Sequence, residues 1–173
     1  MCIRDRFILL FDYHHRGLHG EKETNAFSQL TPLSSGDAGR LCRLAVMQLI
    51  PALIEEDVVS FGQAITEVQA IVGDHFAPVQ GGRFVSPCVR EKLSWYSEHG
   101  AAGYGQSSWG PTGFVLCENE ETARRLMRDS AAALPDNSCE ERIAAAANHP
   151  AAITTEDRFT GSDLTKTVAK GSC

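Results

Sequence analysis

The chain has 173 residues, which is enough for one domain with a substantial hydrophobic core and too few for two comfortable ones. It is 43% hydrophobic and 22% charged, as in an ordinary globular protein, and no apolar run approaches the roughly 20 residues of a membrane span. The formal net charge of −6 and the lack of a basic stripe argue against general nucleic-acid binding, so neither nucleic acid nor a membrane is expected as a partner.

The six cysteines include no C-x-x-C pair, so neither a structural zinc site nor another metal-ligand set is predicted. Cys42 and Cys117 lie in apolar segments and are expected to be buried free thiols. A disulfide framework is not expected at this length without a secretory leader, and the start of the chain shows no leader pattern. The expected location is the cytoplasm.

The first half of the chain begins with a strand and continues with helices. Apolar runs and periodicity predict a buried strand at 6–12, a polar loop at 13–20, a short helix at 21–30 and a long helix at 37–55 that Pro51 kinks or restarts. Asp57 is the predicted cap of a further helix. Its apolar stripe is expected in the core and consists of Val58, Phe61, Ile65, Val68 and Val72. Because a domain seldom opens with a central strand, residues 1–5 are expected to be a non-native start.

The second half is predicted to be a loop at 73–84, a helix that starts at Ser86-Pro87, strands at 101–105 and 113–117, a helix at 120–134 capped by Asn119, and a strand at 139–147. Residues 150–173 have few apolar groups and are expected to form a flexible tail. This order predicts an α+β ferredoxin-like sandwich. Its four-stranded antiparallel sheet carries helices on one face, and extra helices follow the first strand.

The stretch 100–114 contains the second predicted strand, the turn after it and the start of the third strand, and it holds five glycines with several small polar residues and a tryptophan. Glycines this dense indicate close backbone approach or positive φ. The stretch has no lysine, so it is not a nucleotide phosphate loop. Its amides and hydroxyls suit an anion, and Trp109 suits a planar ring. The alternative is a wide hairpin whose tryptophan packs on the core. The candidate binding residues are Gly103, Gly105, Gln106, Ser107, Ser108, Trp109, Gly110 and Thr112.

A second candidate lies at Gln80, Gly81, Gly82 and Arg83, where two glycines permit a turn that aims the arginine at a phosphate or carboxylate. Considered alone, this segment is somewhat better explained as a surface linker. His14, His15 and His19 could bind a metal or move protons, but no ligand spacing completes a site, and a solvated loop is the preferred interpretation. No residue is assigned a catalytic role.

The segment Gln106-Ser-Ser-Trp-Gly-Pro-Thr112 resembles the signature of the β-ribofuranosylaminobenzene (or ribofuranosylphenol) 5′-phosphate synthase family. The resemblance covers about residues 6–149. It includes Glu23…Pro32, Leu49-Ile-Pro-Ala-Leu53, Asp57…Gly62, Gln69…Phe76 and Gln80-Gly81-Gly82. Members are similar to the GHMP kinase superfamily, in which an N-terminal domain with a phosphate loop precedes a ferredoxin-like C-terminal domain. This chain resembles only the C-terminal domain.

The resemblance implies condensation of phosphoribosyl pyrophosphate with 4-hydroxybenzoate or 4-aminobenzoate, with loss of CO2 and pyrophosphate, in tetrahydromethanopterin biosynthesis. It also implies Mg²⁺ with the pyrophosphate, although no metal is expected on this chain itself. It also implies the missing N-terminal domain as a partner. A second copy in a homodimer is expected because apolar surface is left exposed where the missing half would dock. The chain by itself is expected to be inactive, because its cleft lacks the opposite wall.

Two other functions remain open from the sequence. One is the C-terminal domain of a GHMP small-molecule kinase, although such domains usually show a Gly-Ala-Gly-Gly-Gly-type run where this chain has residues 103–111. The other is a non-catalytic ligand-sensing module with a ferredoxin-like fold. Consumption of ATP or of phosphoribosyl pyrophosphate separates the two enzymes, and ligand binding without turnover identifies the module.

Overall fold

The computed structural model describes residues 6–135 and 137–147. Strands β1 (Arg6–Phe11), β2 (Gly103–Gln106), β3 (Gly113–Cys117) and β4 (Glu140–Ala145) form one antiparallel sheet in the order β2-β3-β1-β4. The helices are α1 (Glu21–Gln29), α2 (Ser35–Leu44), α3 (Ile50–Ile54), α4 (Val58–Gln80), α5 (Pro87–Glu98) and α6 (Glu120–Ala133). The predicted α+β ferredoxin-like sandwich, its four-stranded antiparallel sheet and the additional helices after β1 are confirmed. Helices were predicted on one face only; α5 and α6 cover that face, and α4 contacts the other face at β2. The predicted non-native start and tail lie outside the described residues.

The main core lies between the sheet and helices α5 and α6. Alternate residues of β1 and β3 are fully buried against these helices, so the period-two pattern of the strands selects the core face. This cluster contains Ile8, Leu10, Val89, Leu93, Tyr96, Val115, Cys117, Ala123 and Leu126. Behind it, Lys92 Nζ lies 3.1 Å from Glu141 Oε1, and Tyr96 Oη donates to the same oxygen at 2.8 Å. These bonds fasten β4 to α5.

Helix α4 packs against β2 on the face of the sheet opposite to α5 and α6. Gly103 pairs with Leu116 and Gly105 with Phe114. These pairs face away from the main core, because the pair between them, Tyr104–Val115, faces it. A Cβ on Gly103 would lie 2.4 Å from the Gly62 carbonyl oxygen, and one on Gly105 would lie 2.4 Å from Gln69 Cγ. The glycines of β2 therefore admit α4 at backbone contact.

Three of the predicted helix starts are confirmed by their caps. The side chain of Asp57 accepts from the Val59 and Ser60 amides, that of Ser86 from Val89, and that of Asn119 from Thr122. Pro51 lies in the first turn of α3, directly after a π-helical stretch, Ala45–Leu49, that continues α2. The predicted restart at Pro51 is thus observed, since proline lacks the amide proton that an uninterrupted helix needs.

The segment 73–84 was predicted to be a loop, and this prediction is wrong for residues 73–80, which are helical, and correct for 81–84. Helix α4 continues to Gln80 in spite of Pro78 and ends at Gly81, whose φ of 89° is left-handed. The aromatic contacts of Phe76, described below, hold this last part of the helix. The predicted core stripe of α4 is only partly buried, and the fully buried positions of this helix are Gly62 and Ala64.

The cysteine predictions are only partly correct. Cys117 is a buried thiol, and burial raises its pKa to about 11, but Cys42 is exposed. Cys88 and Cys139 form a disulfide, contrary to expectation. They are 51 residues apart in sequence, and the fold brings the first turn of α5 next to the start of β4, with a Cα–Cα distance of 6.1 Å. Within residues 6–135 and 137–147, no helix combines the length and apolar character that crossing a membrane requires.

Candidate substrate-binding site

The loop between β2 and β3 is a tight turn. The Ser107 amide donates to the Thr112 carbonyl, and the Gly110 amide donates to the Ser107 carbonyl, each at 2.9 Å. Ser108 and Gly110 have φ values of 50° and 64°, and the Gly110–Pro111 peptide bond is cis. A Cβ on Gly110 would lie 2.8 Å from the Gln106 side chain, so both its conformation and its surroundings require glycine.

A cavity of about 210 Å³ lies between this loop, α1 and the C-terminal half of α4. Five predicted residues meet on its wall: Gln80, Arg83, Gln106, Ser108 and Trp109. The other lining residues were not predicted as part of the site: Glu23, Phe27, Gln69, Val72, Gly73 and Phe76. Glu23 and Phe27 are four residues apart on α1, and this spacing, inside a segment that carries the family resemblance, was the available signal.

Trp109 forms one wall of the cavity and is also a structural anchor. Trp109 is 6% exposed. Its ring packs edge-to-face on Phe76 and Phe27, with centroid distances of 4.6 and 5.2 Å. The indole Nε1 donates to Glu23 Oε1 at 2.9 Å. The three rings give the cavity an aromatic lining, and the Glu23 bond fixes the orientation of the indole.

Both polar atoms of the Gln106 side-chain amide form hydrogen bonds within the protein. Its Oε1 accepts from the Val85 amide at 2.8 Å, and its Nε2 donates to the Ser108 carbonyl at 3.1 Å. The Gln106 backbone amide donates to Gln69 Oε1 at 3.0 Å. Gln106 therefore joins the loop to α4 and to the start of α5, and its side chain shapes the cavity wall.

Arg83, the predicted anion clamp, reaches the cavity wall but is paired with Asp74. Its Nε and Nη2 donate to the two Asp74 oxygens at 2.7 and 2.6 Å. These hydrogen bonds lower the pKa of Asp74 and raise that of Arg83. An anionic ligand would have to share the guanidinium with Asp74. Gln80 Nε2 donates to the carbonyls of Gly82 and Arg83 and so shapes the turn behind the arginine.

The remaining predicted residues do not line this cavity. Gly103 and Gly105 lie beneath α4, and Gly81 and Gly82, both with positive φ, form the turn after that helix. Ser107 and Gly110 belong to the loop but not to the cavity wall, and Thr112 lines a different cavity on the other side of the loop. Their role as ligand contacts stays a prediction.

The described residues contain no group of three or more His, Cys, Asp and Glu side chains arranged to hold a metal ion. His15 Nδ1 lies 2.6 Å from Asp12 Oδ2, and His19 Nδ1 lies 3.2 Å from the Gly17 carbonyl. The imidazoles of the 13–20 loop thus contact a carboxylate and a carbonyl rather than converge on one point.

The sheet order and the helices inserted after β1 define an α+β domain with a ferredoxin-like fold. Residues 49–136, about half of the chain, match the family described as GHMP kinases C terminal, and the chain belongs to this family. Homoserine kinase from Cytophaga hutchinsonii is a similar solved structure, with a TM-score of 0.55 and 12% identity over 84% of this chain and 42% of that one. Mevalonate diphosphate decarboxylase from Staphylococcus aureus is another, with a TM-score of 0.56 and 11% identity over 83% of this chain and 46% of that one.

Similar curated proteins bear the name beta-ribofuranosylphenol 5'-phosphate synthase. The protein from Methanothermobacter thermautotrophicus is 29% identical over 105 residues, which are 61% of this chain and 31% of that protein. The protein from Archaeoglobus fulgidus is 29% identical over 115 residues, or 66% and 34% of the two chains. The chain thus spans about a third of the length of these relatives.

Proposed function

We propose that this chain forms the C-terminal part of an enzyme that joins the ribosyl group of phosphoribosyl pyrophosphate to a ring carbon of 4-hydroxybenzoate or 4-aminobenzoate. The reaction releases CO2 and pyrophosphate and belongs to tetrahydromethanopterin biosynthesis in the cytoplasm. The observation that carries the proposal is an aromatic-walled cavity beside the Gln106–Thr112 loop, in a chain whose curated relatives are named for a ribofuranosylphenol phosphate product.

The size and lining of the cavity suit one substituted benzene ring. An engineered apolar cavity of about 150 Å³ binds benzene, and this cavity measures about 210 Å³. Ring edges and faces from Phe27, Phe76 and Trp109 offer the edge-to-face contacts that aromatic ligands prefer. In the proposal the carboxylate of the ligand lies towards Ser108 and Arg83, where it competes with Asp74 for the guanidinium.

The proposed chemistry balances without a redox partner. The bond between the ribosyl anomeric carbon and pyrophosphate breaks, and its electron pair leaves with pyrophosphate. A π pair at the ring carbon that bears the carboxylate forms the new carbon–carbon bond. The bond to the carboxylate then breaks, its electrons restore the aromatic ring, and CO2 departs. The residues of this chain hold the ring in position and exclude water from it.

Mg²⁺ is part of the proposal only as a companion of the pyrophosphate. It typically keeps several waters and binds through substrate phosphates and one or two carboxylates. The described residues offer no multi-carboxylate cluster for it, so no step is assigned to a metal held by this chain.

The proposed partners are an N-terminal GHMP domain, which would close the cleft, and a second copy of the enzyme. Six large apolar side chains are exposed between residues 45 and 59, and such a patch supports an association surface. They are Val46, Met47, Ile50, Leu53, Ile54 and Val59. We expect the chain by itself to show no turnover.

The activity test combines this chain with the N-terminal two thirds of the Methanothermobacter thermautotrophicus relative, as a mixture and as one fused chain. The assay measures CO2 released from carboxyl-labelled 4-hydroxybenzoate or 4-aminobenzoate with phosphoribosyl pyrophosphate, and the intact relative serves as the positive control. Consumption of ATP with a small-molecule alcohol instead would identify a kinase. A folded complex without CO2 release, beside an active control, refutes the proposal.

A matched pair of tryptophan variants tests the position of the ring. Trp109→Phe loses the bond to Glu23 and alters the cavity wall, whereas Trp95→Phe changes a tryptophan that stacks on His99 outside the cavity. We expect Trp109→Phe to lower kcat/KM for the ring acid by about tenfold, or about 1.4 kcal/mol, and Trp95→Phe to stay within about twofold. Equal effects of the two variants would exclude the Trp109 cavity as the ring site.

A further inference from the structure

A second cavity, of about 420 Å³, lies on the other side of the β2–β3 loop. The loop 13–20 forms one wall, and Pro111 and Thr112 form the other. The two segments are in backbone contact: a Cβ on Gly17 would lie 2.3 Å from the Gly110 carbonyl oxygen and 2.6 Å from that of Trp109. The same loop therefore separates this cavity from the aromatic one.

A buried carboxylate fixes an imidazole at the wall of this cavity. The Asp12 side chain is 2% exposed, and its Oδ2 accepts from Ser86 Oγ and from His15 Nδ1, each at 2.6 Å. Its Oδ1 accepts from the His14 amide at 2.8 Å. Although burial opposes the charged form, these hydrogen bonds lower the pKa of Asp12 to about 2.

The ionised carboxylate determines which nitrogen of His15 remains for a ligand. A carboxylate without its proton only accepts hydrogen bonds, so His15 Nδ1 must be the donor. The His15 ring is about half exposed and lines the cavity, and its Nε2 has no partner among the described contacts. Nε2 thus carries a lone pair when the ring is neutral and donates a hydrogen bond only after it has taken up a proton.

The other groups around the cavity favour a negatively charged ligand. Arg16 is exposed and makes no ion pair with any described residue, and Thr112 lines the same cavity. Asp12 is the one carboxylate on the wall, and its oxygens are occupied. Beyond the wall, Glu140 pairs with Arg142 and contacts Tyr13. His19, whose Nδ1 donates to the Gly17 carbonyl, adds a second imidazole.

We propose that this cavity binds the oxyanion of a phosphate ester or diphosphate, with Arg16, Thr112 and protonated His15 as donors. Because the Nδ1 proton of His15 is committed to Asp12, Nε2 can donate to a bound anion only from the protonated ring, so binding takes up a proton whenever the ring of the free chain is neutral. Anion binding follows from this cavity alone. Its assignment to the phosphates of phosphoribosyl pyrophosphate rests on the proposed function, in which the ring acid and the ribosyl donor would lie on opposite sides of the β2–β3 loop.

Calorimetry on the 173-residue chain tests the site directly. Sulfate is the first probe because it brings no proton near neutral pH, and titrations in buffers of different ionisation enthalpy count the protons taken up. We expect saturable binding at one site with net proton uptake, weakened about tenfold, or about 1.4 kcal/mol, by Arg16→Gln. Arg128→Gln removes a charge from an exposed arginine of α6 outside the cavity and should leave the affinity unchanged.

His15→Gln should bind sulfate more weakly and without proton uptake, whereas His14→Gln should behave like the unaltered chain. Circular dichroism and amide NMR spectra establish that each variant is folded. Absence of saturable binding overturns the proposal, as do equal losses in Arg16→Gln and Arg128→Gln or undiminished proton uptake in folded His15→Gln. Pyrophosphate and ribose 5-phosphate then identify which phosphate of the donor fits better. Sulfate binding needs no turnover, so an inactive reconstituted enzyme would refute the proposed function and leave this site intact.

Discussion

Replacing Gly62 with alanine should separate α4 from the sheet. A Cβ at this position would lie 2.0 Å from the Ala102 carbonyl oxygen and 2.8 Å from the Gly103 amide nitrogen. Both are backbone atoms of the sheet edge, so no flexible side chain can move aside. Ordinary van der Waals contact begins at 3.4 Å, and the two backbones would have to part by about 1.4 Å.

The expected cost combines two opposing effects. Overpacking a close contact costs about 1–3 kcal/mol or more, and alanine regains about 1 kcal/mol over glycine inside a helix. Because the obstruction here is backbone, we take the upper end of about 3 kcal/mol and expect a net loss of about 2 kcal/mol. For a chain of this length that loss lowers Tm by roughly 4–8 °C.

Urea and thermal denaturation followed by circular dichroism measure the effect. Gly39→Ala is the matched control, because Gly39 is exposed on α2 and a Cβ there meets nothing within 4 Å. The control should be stabilised by about 0.5–1 kcal/mol through helix propensity. If Gly62→Ala lies within about 0.5 kcal/mol of the unaltered chain, the close approach of α4 to β2 is not needed for stability and the reasoning fails.

Three further predictions follow from individual contacts. Asp12 has a pKa of about 2 against an ordinary 3.8, so its charge contributes about 2 kcal/mol to the free energy of unfolding, present above pH 4 and lost as the pH falls towards 2. Between these pH values the free energy of unfolding of Asp12→Asn should vary less with pH than that of the unaltered chain. Cys139→Ser opens a disulfide that joins residues 51 positions apart and should lower the free energy of unfolding by up to about 4 kcal/mol in urea titrations without reductant; an unchanged midpoint would refute this. Asp74→Asn releases Arg83 and should lower the KM for the ring acid in the reconstituted enzyme, and a raised KM would contradict a carboxylate at Arg83.

The sheet and the helix starts were predictable because their signals are local. The continuous apolar run of β1 and the caps at Asp57, Ser86 and Asn119 depend on neighbours within a few residues. The antiparallel order then follows from the sequence of strands and helices. The family resemblance added the position of the β2–β3 loop beside a site.

The remainder depends on contacts between residues far apart in sequence. Helix α4 continues past Pro78 because Phe76 packs on Trp109, and no pattern within residues 73–80 predicts that contact. The density of glycines in β2 indicated close approach, but the sequence did not show that the neighbour is α4 rather than a ligand. The Cys88–Cys139 pair likewise exists only after α5 and β4 have met.

The contacts of the β2–β3 loop determine whether it would keep its conformation in another protein. The Gln106 backbone amide donates to Gln69 of α4, and the Gln106 side-chain Oε1 accepts from the Val85 amide before α5. A glycine at position 17 leaves room for the Gly110 carbonyl. A chimaera that places residues 106–112 on a kinase domain without these neighbours would lose the loop conformation. The loop and the three distant residues that contact it form one structural unit. A chimaera should therefore retain the loop conformation only when all of them are transferred together.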